Sequence, residues 1–593
     1  MALITQIDFS DPQDPAAPRL RCALGPPREV LVACLPGELR AVLDAVEAAA
    51  AQGAWCVGGV RYEAAGAFDA ALQTHPADGP LAWFAVHDAP GPWPGDPPPA
   101  AAAPTLQWDP VLDRARFDAD LAAIHAAIAR GDYYQVNYTA PLRATVQGGG
   151  AEAAPALFAA LQCAQPGGYA ACIDMGDVQV LSVSPELFFD WQSGAEDDEG
   201  HILTRPMKGT APRGATPEHD AALAQGLRAS PKERAENVMI VDLLRNDLSR
   251  IATPHSVQVP RLFHTEALPA VWQMTSDVQA RTRAGTRLVD VFAALFPCGS
   301  VTGAPKVRAM QAIAQLEQGP RGFYCGAVGV VRPGERGGIH ATFNVPIRTV
   351  VLQGDQACCG IGSGITADAM ADAEWAEWQH KRAFVERASA PFDVLETLAL
   401  DGGQFRHLDE HLTRMQQAAT HFGFSWDGAA VRQCLQALAS RHPQGAWRTR
   451  LLLDAAGTPR AEAFALAATP EPVRLQLAGG PLMEAHGEFV RFKTTRRAHY
   501  AAFAPQEPGV FDTVLWNAEG EITESTFGNI AMLLDGHWVT PPLACGLLPG
   551  VGRAVALRDG RVCEAVVRLQ DLPRVQGWAF INSLRGWLQA RLG

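Results

Sequence analysis

Two Glu-x-x-Glu pairs stand out among the residues able to do chemistry, Glu233/Glu236 in PKERAENVMIVDLLRNDLSR and Glu374/Glu377 in ADAEWAEWQHKR. Residues three apart share a helix face, so each pair aims two carboxylates in one direction. Two such helices facing each other make a cage of acidic oxygens, the ligand set of a hard cation such as Mg²⁺. One pair of this kind is ordinarily a solvated face. Here apolar residues press on both, VMIVDLL after the first pair and Trp375 and Trp378 within the second. A buried carboxylate cluster without a cation is costly, so the pairs predict a metal site.

Cationic and backbone donors accompany the acids. The glycine-rich segments FPCGSVTGAPK, RGFYCGAVG and CCGIGSGITAD let backbone approach a ligand closely. With Lys306, Arg348 in NVPIRT and Lys381 one helical turn past Glu377, they supply the donors a dicarboxylate needs. Further along, RFKTTRRAHY sets Lys493 at the end of an expected strand, and EITESTFGNIAML sets Glu524 just ahead of another. LLPGVGRAVAL reads as a turn opening a helix, whose free amides suit a phosphate.

The elements that position these residues fall into three blocks. Residues 1–95 read as a small α/β segment, with a helix in LRAVLDAVEAAAAQG and a strand in AWCVGGVRYEA. The Pro/Gly/Ala-rich APGPWPGDPPPAAAAP reads as a linker. Residues 105–389 mix strands and helices: a long helix in FDADLAAIHAAIARGD, strands in VQVLSVS, ELFFDW, FYCGAVGVV and ATFNVPIRTVVL, and the acidic SGAEDDEG as a hairpin loop. Residues 390–593 begin a new α/β pattern, with a strand in PFDVLETLAL and a helix in HLDEHLTRMQQAATHFGF, so a fusion point lies near Ala388 to Pro391.

A chain of 593 residues exceeds the size of a single core. Its formal net charge of −14 and lack of a polybasic run argue against nucleic acid or an anionic membrane surface as partner. MALITQIDFSDPQDP has no basic region followed by an apolar stretch, and no apolar run approaches bilayer-spanning length, so a cytoplasmic enzyme is expected. The twelve cysteines include no CxxC pair, which suggests reduced core thiols rather than zinc knuckles or disulfides.

The segments KERAENVMIVDLLRNDLSR, GSVTGAPK, RGFYCGAVG, NVPIRT and GIGSGI followed by ADAEWAEWQHK resemble, in order, the signatures of chorismate-utilising enzymes. The resemblance implies a two-lobed α+β, anthranilate synthase component I-like fold that binds Mg²⁺-chorismate between its lobes. It implies Glu236 and Glu377 as direct Mg²⁺ ligands with Glu233 and Glu374 as their partners. It implies Thr302, Tyr324, Arg348, Gly362, Ser363, Gly364 and Lys381 as holders of the two carboxylates.

Within that family, Lys208 in RPMKGTAPRG stands where aminodeoxychorismate synthases with a covalent lysine have their nucleophile and anthranilate synthases have alanine. A desolvated lysine is a usable amine nucleophile. The resemblance implies that Lys208 attacks chorismate carbon 2 and displaces the carbon 4 hydroxyl, and that ammonia then adds at carbon 4 and expels the lysine. Gln135 in YYQVNYT occupies the position of the water-activating lysine of isochorismate and salicylate synthases and is no base, which disfavours those readings. Gln273 in VWQMTS replaces a histidine of related synthases, leaving Mg²⁺-bound water, Glu186 in SPELFF or Lys208 as candidates for the general acid. No glutaminase segment is evident, so the resemblance implies a separate glutamine amidotransferase subunit as ammonia source.

From Phe392 onward, FDVLETL, HLTRM, FKTTRR, EITESTFGNI and GLLPGVGR resemble fold-type IV pyridoxal-phosphate enzymes, in particular aminodeoxychorismate lyases and branched-chain or D-amino acid aminotransferases. The resemblance implies an α/β unit in which Lys493 carries the cofactor and Glu524 pairs with the pyridine nitrogen. It implies Arg414 with backbone near Thr526, Gly550 and Val551 as the phosphate site, and a homodimer through this unit. The fused pair implies synthesis of 4-aminobenzoate for folate from chorismate, with release of pyruvate. Two alternatives remain: an anthranilate synthase carrying an aminotransferase-like unit, and a second unit that binds the cofactor or a partner without catalysis.

Overall fold

The computed structural model describes residues 5–593 except 15, 96–104, 147–149, 195–197, 213–216, 268–270, 335–336, 390 and 506. The core of the proline-rich linker (96–104) and the tip of the acidic hairpin (195–197) lie outside the described residues. The chain divides into two compact units, Met1–Pro391 and Phe392–Gly593. No described helix is long and apolar enough to cross a membrane.

The first unit is built on two large antiparallel sheets. One runs, in spatial order, through Gly303–Ala304, Gln135–Thr145, Gln356–Ile365, Thr349–Gln353, Val178–Ser184, Tyr169–Asp174, Thr5–Phe9 and Leu20–Leu24. The other runs through Met207–Pro212, Val271–Thr282, Gly200–Arg205, Leu187–Gln192, Ile339–Asn344, Ala327–Pro333, Trp55–Val60, Ala82–His87 and Glu29–Ala33. Strand side chains alternate between faces, and the inner faces meet in a core that takes Ile7 and Val180 from one sheet and Val57, Val328 and Val330 from the other. Helices Leu39–Ala51, Pro231–Ser249 and Leu288–Leu295 contribute to the core on one side, and Arg114–Ala129, Gly150–Ala164 and Ala371–Ser389 to the core on the other. Residues 1–95 are no separate body: Gln6 pairs with Cys172, and Val57 with Val330.

Both acidic pairs lie on helices. Pro231–Ser249 starts with proline at its first position, and the Ser230 hydroxyl accepts from the Glu233 amide at 3.4 Å. Ala371–Ser389 is anchored through Trp378, which is buried and packs edge-on against Phe117 at 5.0 Å.

The second unit holds a four-stranded antiparallel sheet (Gln404–Phe405, Val394–Asp401, Ala446–Leu453, Pro459–Ala465) and an eight-stranded mixed sheet from Ile522–Ser525 to Cys563–Glu564. Helix Leu408–Phe422 buries Leu412, Met415, Ala419 and Phe422 at helical spacing and stops at Gly423, whose φ is +70°. Lys493 departs from the sequence reading. It follows a single helical turn, Glu488–Arg491, and its neighbour Thr494 makes only an isolated bridge to Val394. The extended run there finds a partner at one residue, so no strand propagates.

Candidate active sites

In the first unit the strand Gln356–Ile365 lies beside Gln135–Thr145 with Gly362 opposite Thr139, Ser363 opposite Tyr138 and Gly364 opposite Asn137. The glycines are there for room. A β-carbon on Gly362 would stand 2.4 Å from the Tyr138 carbonyl, and one on Gly364 would stand 2.4 Å from Gln135 Nε2 and 2.9 Å from Lys208 Nζ. Gly364 therefore opens a small cradle between the lysine and the glutamine. Gln135 is fully buried, and both polar atoms of its amide lack a hydrogen-bond partner among the described residues. Buried polar groups are almost always satisfied, so this amide faces a place for a polar ligand.

Glu186 joins the same cluster. It is 3% exposed and one carboxyl oxygen is unpartnered. Burial pushes its carboxyl up to about 7, against the opposing pull of Ser300 and Lys208. At neutral pH a substantial fraction therefore carries a proton beside the lysine.

The two acidic pairs sense one another. Burial raises Glu233, Glu236 and Glu374 above the ordinary carboxyl range, and the charge of Glu377 adds to each. Glu377, although desolvation works against it, is drawn below its ordinary value by Lys381, its ion-pair partner at 2.6 Å. Lys208 draws on Glu186, Glu233, Glu236 and Glu377 together. Among the described residues no three His, Cys, Asp or Glu side chains converge closely enough to cage an ion. Mutual repulsion among these four acids is what a divalent cation would relieve, and their carboxylates are the donor type a hard cation takes.

The carboxylate holders differ in what they offer. Ser363 Oγ donates to Glu374 Oε2 at 2.5 Å and accepts from Trp378 Nε1 at 3.0 Å. Lys381 Nζ donates to the Gly362 carbonyl at 2.9 Å, and burial lowers its pKa. Arg348, in the left-handed region at φ 51°, donates to the Lys381 carbonyl at 2.8 Å and lies 5.2 Å from the Phe384 ring centre. Thr302 is instead a core hydroxyl, donating to the carbonyls of Cys298 and Gly299. Tyr324 is buried against Gly360, where a β-carbon would meet its ring at 2.3 Å. Lys306 is not an available donor: it is tied to buried Asp247 at 2.8 Å and to the Leu295 carbonyl.

The second unit has a cavity of about 360 Å³ with Lys493 and Glu524 in its wall. Burial, with Arg497 and Arg414, brings the Lys493 amine down to about 7. Among the described residues that amine takes no hydrogen bond or ion pair. Glu524, 3% exposed, is pushed up to about 7 by burial while it accepts from Tyr500 Oη at 2.6 Å and the Leu548 amide at 3.1 Å.

Arg414 is held from behind by Glu396 at 2.8 and 2.6 Å and by the Pro549 carbonyl. Helix Val551–Arg558 opens into the cavity with Gly550 as its cap, and Asn529 Oδ1 stands 1.9 Å from where a Gly550 β-carbon would be. The first ladder bond is Ala554 to Gly550, so the amides of Val551, Gly552 and Arg553 precede it. Thr526 is already committed: its hydroxyl donates to Asp512 Oδ1 at 2.5 Å, its amide to the same oxygen at 3.3 Å, and its carbonyl accepts from Arg497. A free amine, an arginine, a helix start and a buried acid fit pyridoxal phosphate.

Sequence reasoning missed Glu396, Tyr500, Arg448, Arg497 and Arg585, all in or behind this cavity. Glu396 carried a signal: in VLETL the period of two puts it on the same face as Val394 and Leu398, both buried.

A lysine near a buried acid whose pKa burial raises, found once in each unit, defines a fused enzyme with two sites. Residues 94–387 match the chorismate binding enzyme family and residues 393–592 match amino-transferase class IV. Each half is thus similar to one of these families, residues 94–387 to the chorismate binding enzymes and residues 393–592 to the class IV amino-transferases. The chain is 40% identical over 299 residues to aminodeoxychorismate synthase component 1 of Klebsiella aerogenes, covering 50% of this chain and 61% of that protein. It is 41% identical over 276 residues to aminodeoxychorismate synthase of Streptomyces griseus, covering 46% and 36%. It spans about three fifths of the length of the Klebsiella relative. Anthranilate synthase component I from Streptococcus pneumoniae TIGR4 shares the fold of the first unit, with TM-score 0.50 and 24% identity over 65% of this chain and 90% of that one.

Proposed function

We propose that the protein makes 4-aminobenzoate from chorismate and ammonia in two steps, one in each unit, as a cytoplasmic enzyme of folate synthesis. What carries the reading is Lys208 Nζ beside Gly364, faced by the unpartnered Gln135 amide and Glu186. Gln135 stands where the isochorismate and salicylate synthases that this unit resembles carry a water-activating lysine, and an amide is no base. Glu233, Glu236, Glu374 and Glu377 would hold Mg²⁺, which neutralises a substrate carboxylate. Lys208 forms a bond to carbon 2 while Glu186 gives its proton to the departing carbon 4 hydroxyl. Ammonia from a separate glutamine amidotransferase then adds at carbon 4 and expels Lys208, giving 4-amino-4-deoxychorismate.

In the second unit Arg414 and the amides of Val551 and Gly552 would hold the phosphate of pyridoxal phosphate, and Glu524 its ring nitrogen. When bound, that cofactor supplies an electron sink for the carbon 4 proton to leave. Lys493 takes this proton, enolpyruvate departs as pyruvate, and the ring becomes aromatic. Arg448, Arg497 and Arg585 in the cavity wall suit a substrate with two carboxylates, which favours the lyase over an aminotransferase of simple amino acids. Fusion of consecutive steps also raises the effective concentration of the intermediate.

The test is product identification after incubating the purified chain with chorismate, Mg²⁺, pyridoxal phosphate and an ammonium salt. The expected products are 4-aminobenzoate and pyruvate. Appearance of 2-aminobenzoate instead would make the first unit an anthranilate synthase and remove the role given to Lys208.

A further inference from the structure

The strand Met207–Pro212 pairs antiparallel with Val271–Thr282, and their register breaks between Met207 and Thr210. Lys208 and Gly209 fall in that break, and Gly209 turns through φ +90°, which L side chains rarely adopt. A bulge of this kind re-aims a side chain and takes backbone groups off the ladder. One of those groups is recovered by a side chain: Gln273 Nε2 donates to the Gly209 carbonyl at 2.9 Å. A longer bond to the Met274 carbonyl, 3.3 Å, fixes the amide's orientation, and the residue is 8% exposed. On its other side Gly209 is shut in by Glu233, whose Oε2 stands 2.7 Å from where a β-carbon would be.

We infer that Gln273 is a positioning residue: its amide holds the bulge at Gly209 and so fixes the direction in which Lys208 leaves the strand, toward Gly364 and Gln135. The inference rests on the role proposed for Lys208. An amide has no proton to give in this pH range, so the position serves geometry and the acid is elsewhere. A reacting group displaced by about 1 Å loses on the order of a hundredfold in rate, which makes a clamp beside the nucleophile consequential.

The experiment compares the full chain with its Gln273→Leu and Gln273→Asn variants by two readouts. The first is the rate at which the Lys208 peptide gains the mass of chorismate less water, with Mg²⁺ present and ammonia absent. In that step the lysine nitrogen bonds to carbon 2, the carbon 4–oxygen bond breaks, and the amine's proton and the hydroxyl leave as water overall. The second is acetylation of Lys208 by acetic anhydride, relative to exposed Lys232 in the same digest. Gln273→Leu is expected to slow the mass gain about tenfold or more with KM for chorismate changed less than about threefold, and to shift the labelling ratio. Gln273→Asn, which keeps a donor, is expected to recover part of both.

Unchanged mass gain and labelling in Gln273→Leu would overturn the inference. So would a raised KM with kcat retained, which would make Gln273 a substrate contact. A wild-type protein that gains no mass while the labelling ratio still shifts in the variant would uphold the clamp and sink the covalent role of Lys208.

Discussion

Tyr500 donates its hydroxyl to Glu524 Oε1 at 2.6 Å, and no other side chain hydrogen-bonds that carboxylate among the described residues. A donated bond favours the ionised acid, so it opposes the burial that lifts Glu524 to about 7. Tyr500→Phe removes the opposition and raises the pKa further. Since the ionised form is the one that holds a protonated ring nitrogen, the acid limb of the lyase pH profile should move to higher pH by about one unit or more. Absorbance titration with pyridoxal phosphate should show weaker loading at neutral pH. An unmoved limb would remove Tyr500 from the site.

Glu186 gives the opposite dependence. Its raised pKa keeps the acid form below about 7, and that form is lost as pH rises through about 7. Formation of 4-amino-4-deoxychorismate should therefore fall over that interval. Glu186→Gln should lower kcat about 10²- to 10⁴-fold and flatten the descending limb. If the limb persists in the variant, the proton comes from another group.

Lys208→Ala should slow 4-amino-4-deoxychorismate formation about a thousandfold or more. Lyase turnover of supplied 4-amino-4-deoxychorismate should be retained, which controls for folding of the chain. An unchanged first step would remove the covalent route.

Chelation of divalent cations should abolish the first reaction and spare the second. Glu233→Gln should raise the Mg²⁺ needed for half-maximal rate by about 10- to 100-fold, as loss of a supporting carboxylate does at other metal sites. Titration of the first reaction with Mg²⁺ reads this directly.

Lys493→Ala should still consume chorismate and ammonia but accumulate a non-aromatic amine without 4-aminobenzoate. Chromatography separates the two, and continued formation of the aromatic product would assign the proton transfer to a different residue.

Local pattern carried much of this into the sequence. The helices bearing Glu233/Glu236 and Glu374/Glu377, the strand Val394–Asp401 and the helix opening at Val551 are written in spacing, turn residues and apolar runs. What could not be read were partners distant along the chain. Nothing near Lys306 announces that Asp247 claims it, nothing near Thr302 or Thr526 shows their hydroxyls already committed, and Tyr500 meets Glu524 only because the fold brings them together. In the sequence Gln273 shows only that an acid is missing, and its bond to the Gly209 carbonyl depends on a register break that a single strand cannot display.

The pairing of Thr5–Phe9 with Tyr169–Asp174, and of Trp55–Val60 with Ala327–Pro333, also sets an order of events during synthesis. Thr5–Phe9 can pair with Leu20–Leu24, and Trp55–Val60 with Ala82–His87, soon after they are made, but the opposite edge of each strand has no partner until far later residues are made. Gln135–Thr145 must likewise wait for Gln356–Ile365. Pairing across such spans is slow and leaves open strand edges meanwhile, so the first unit should depend on chaperones during translation. The second unit, whose pairings all fall within its own two hundred residues, should need them less.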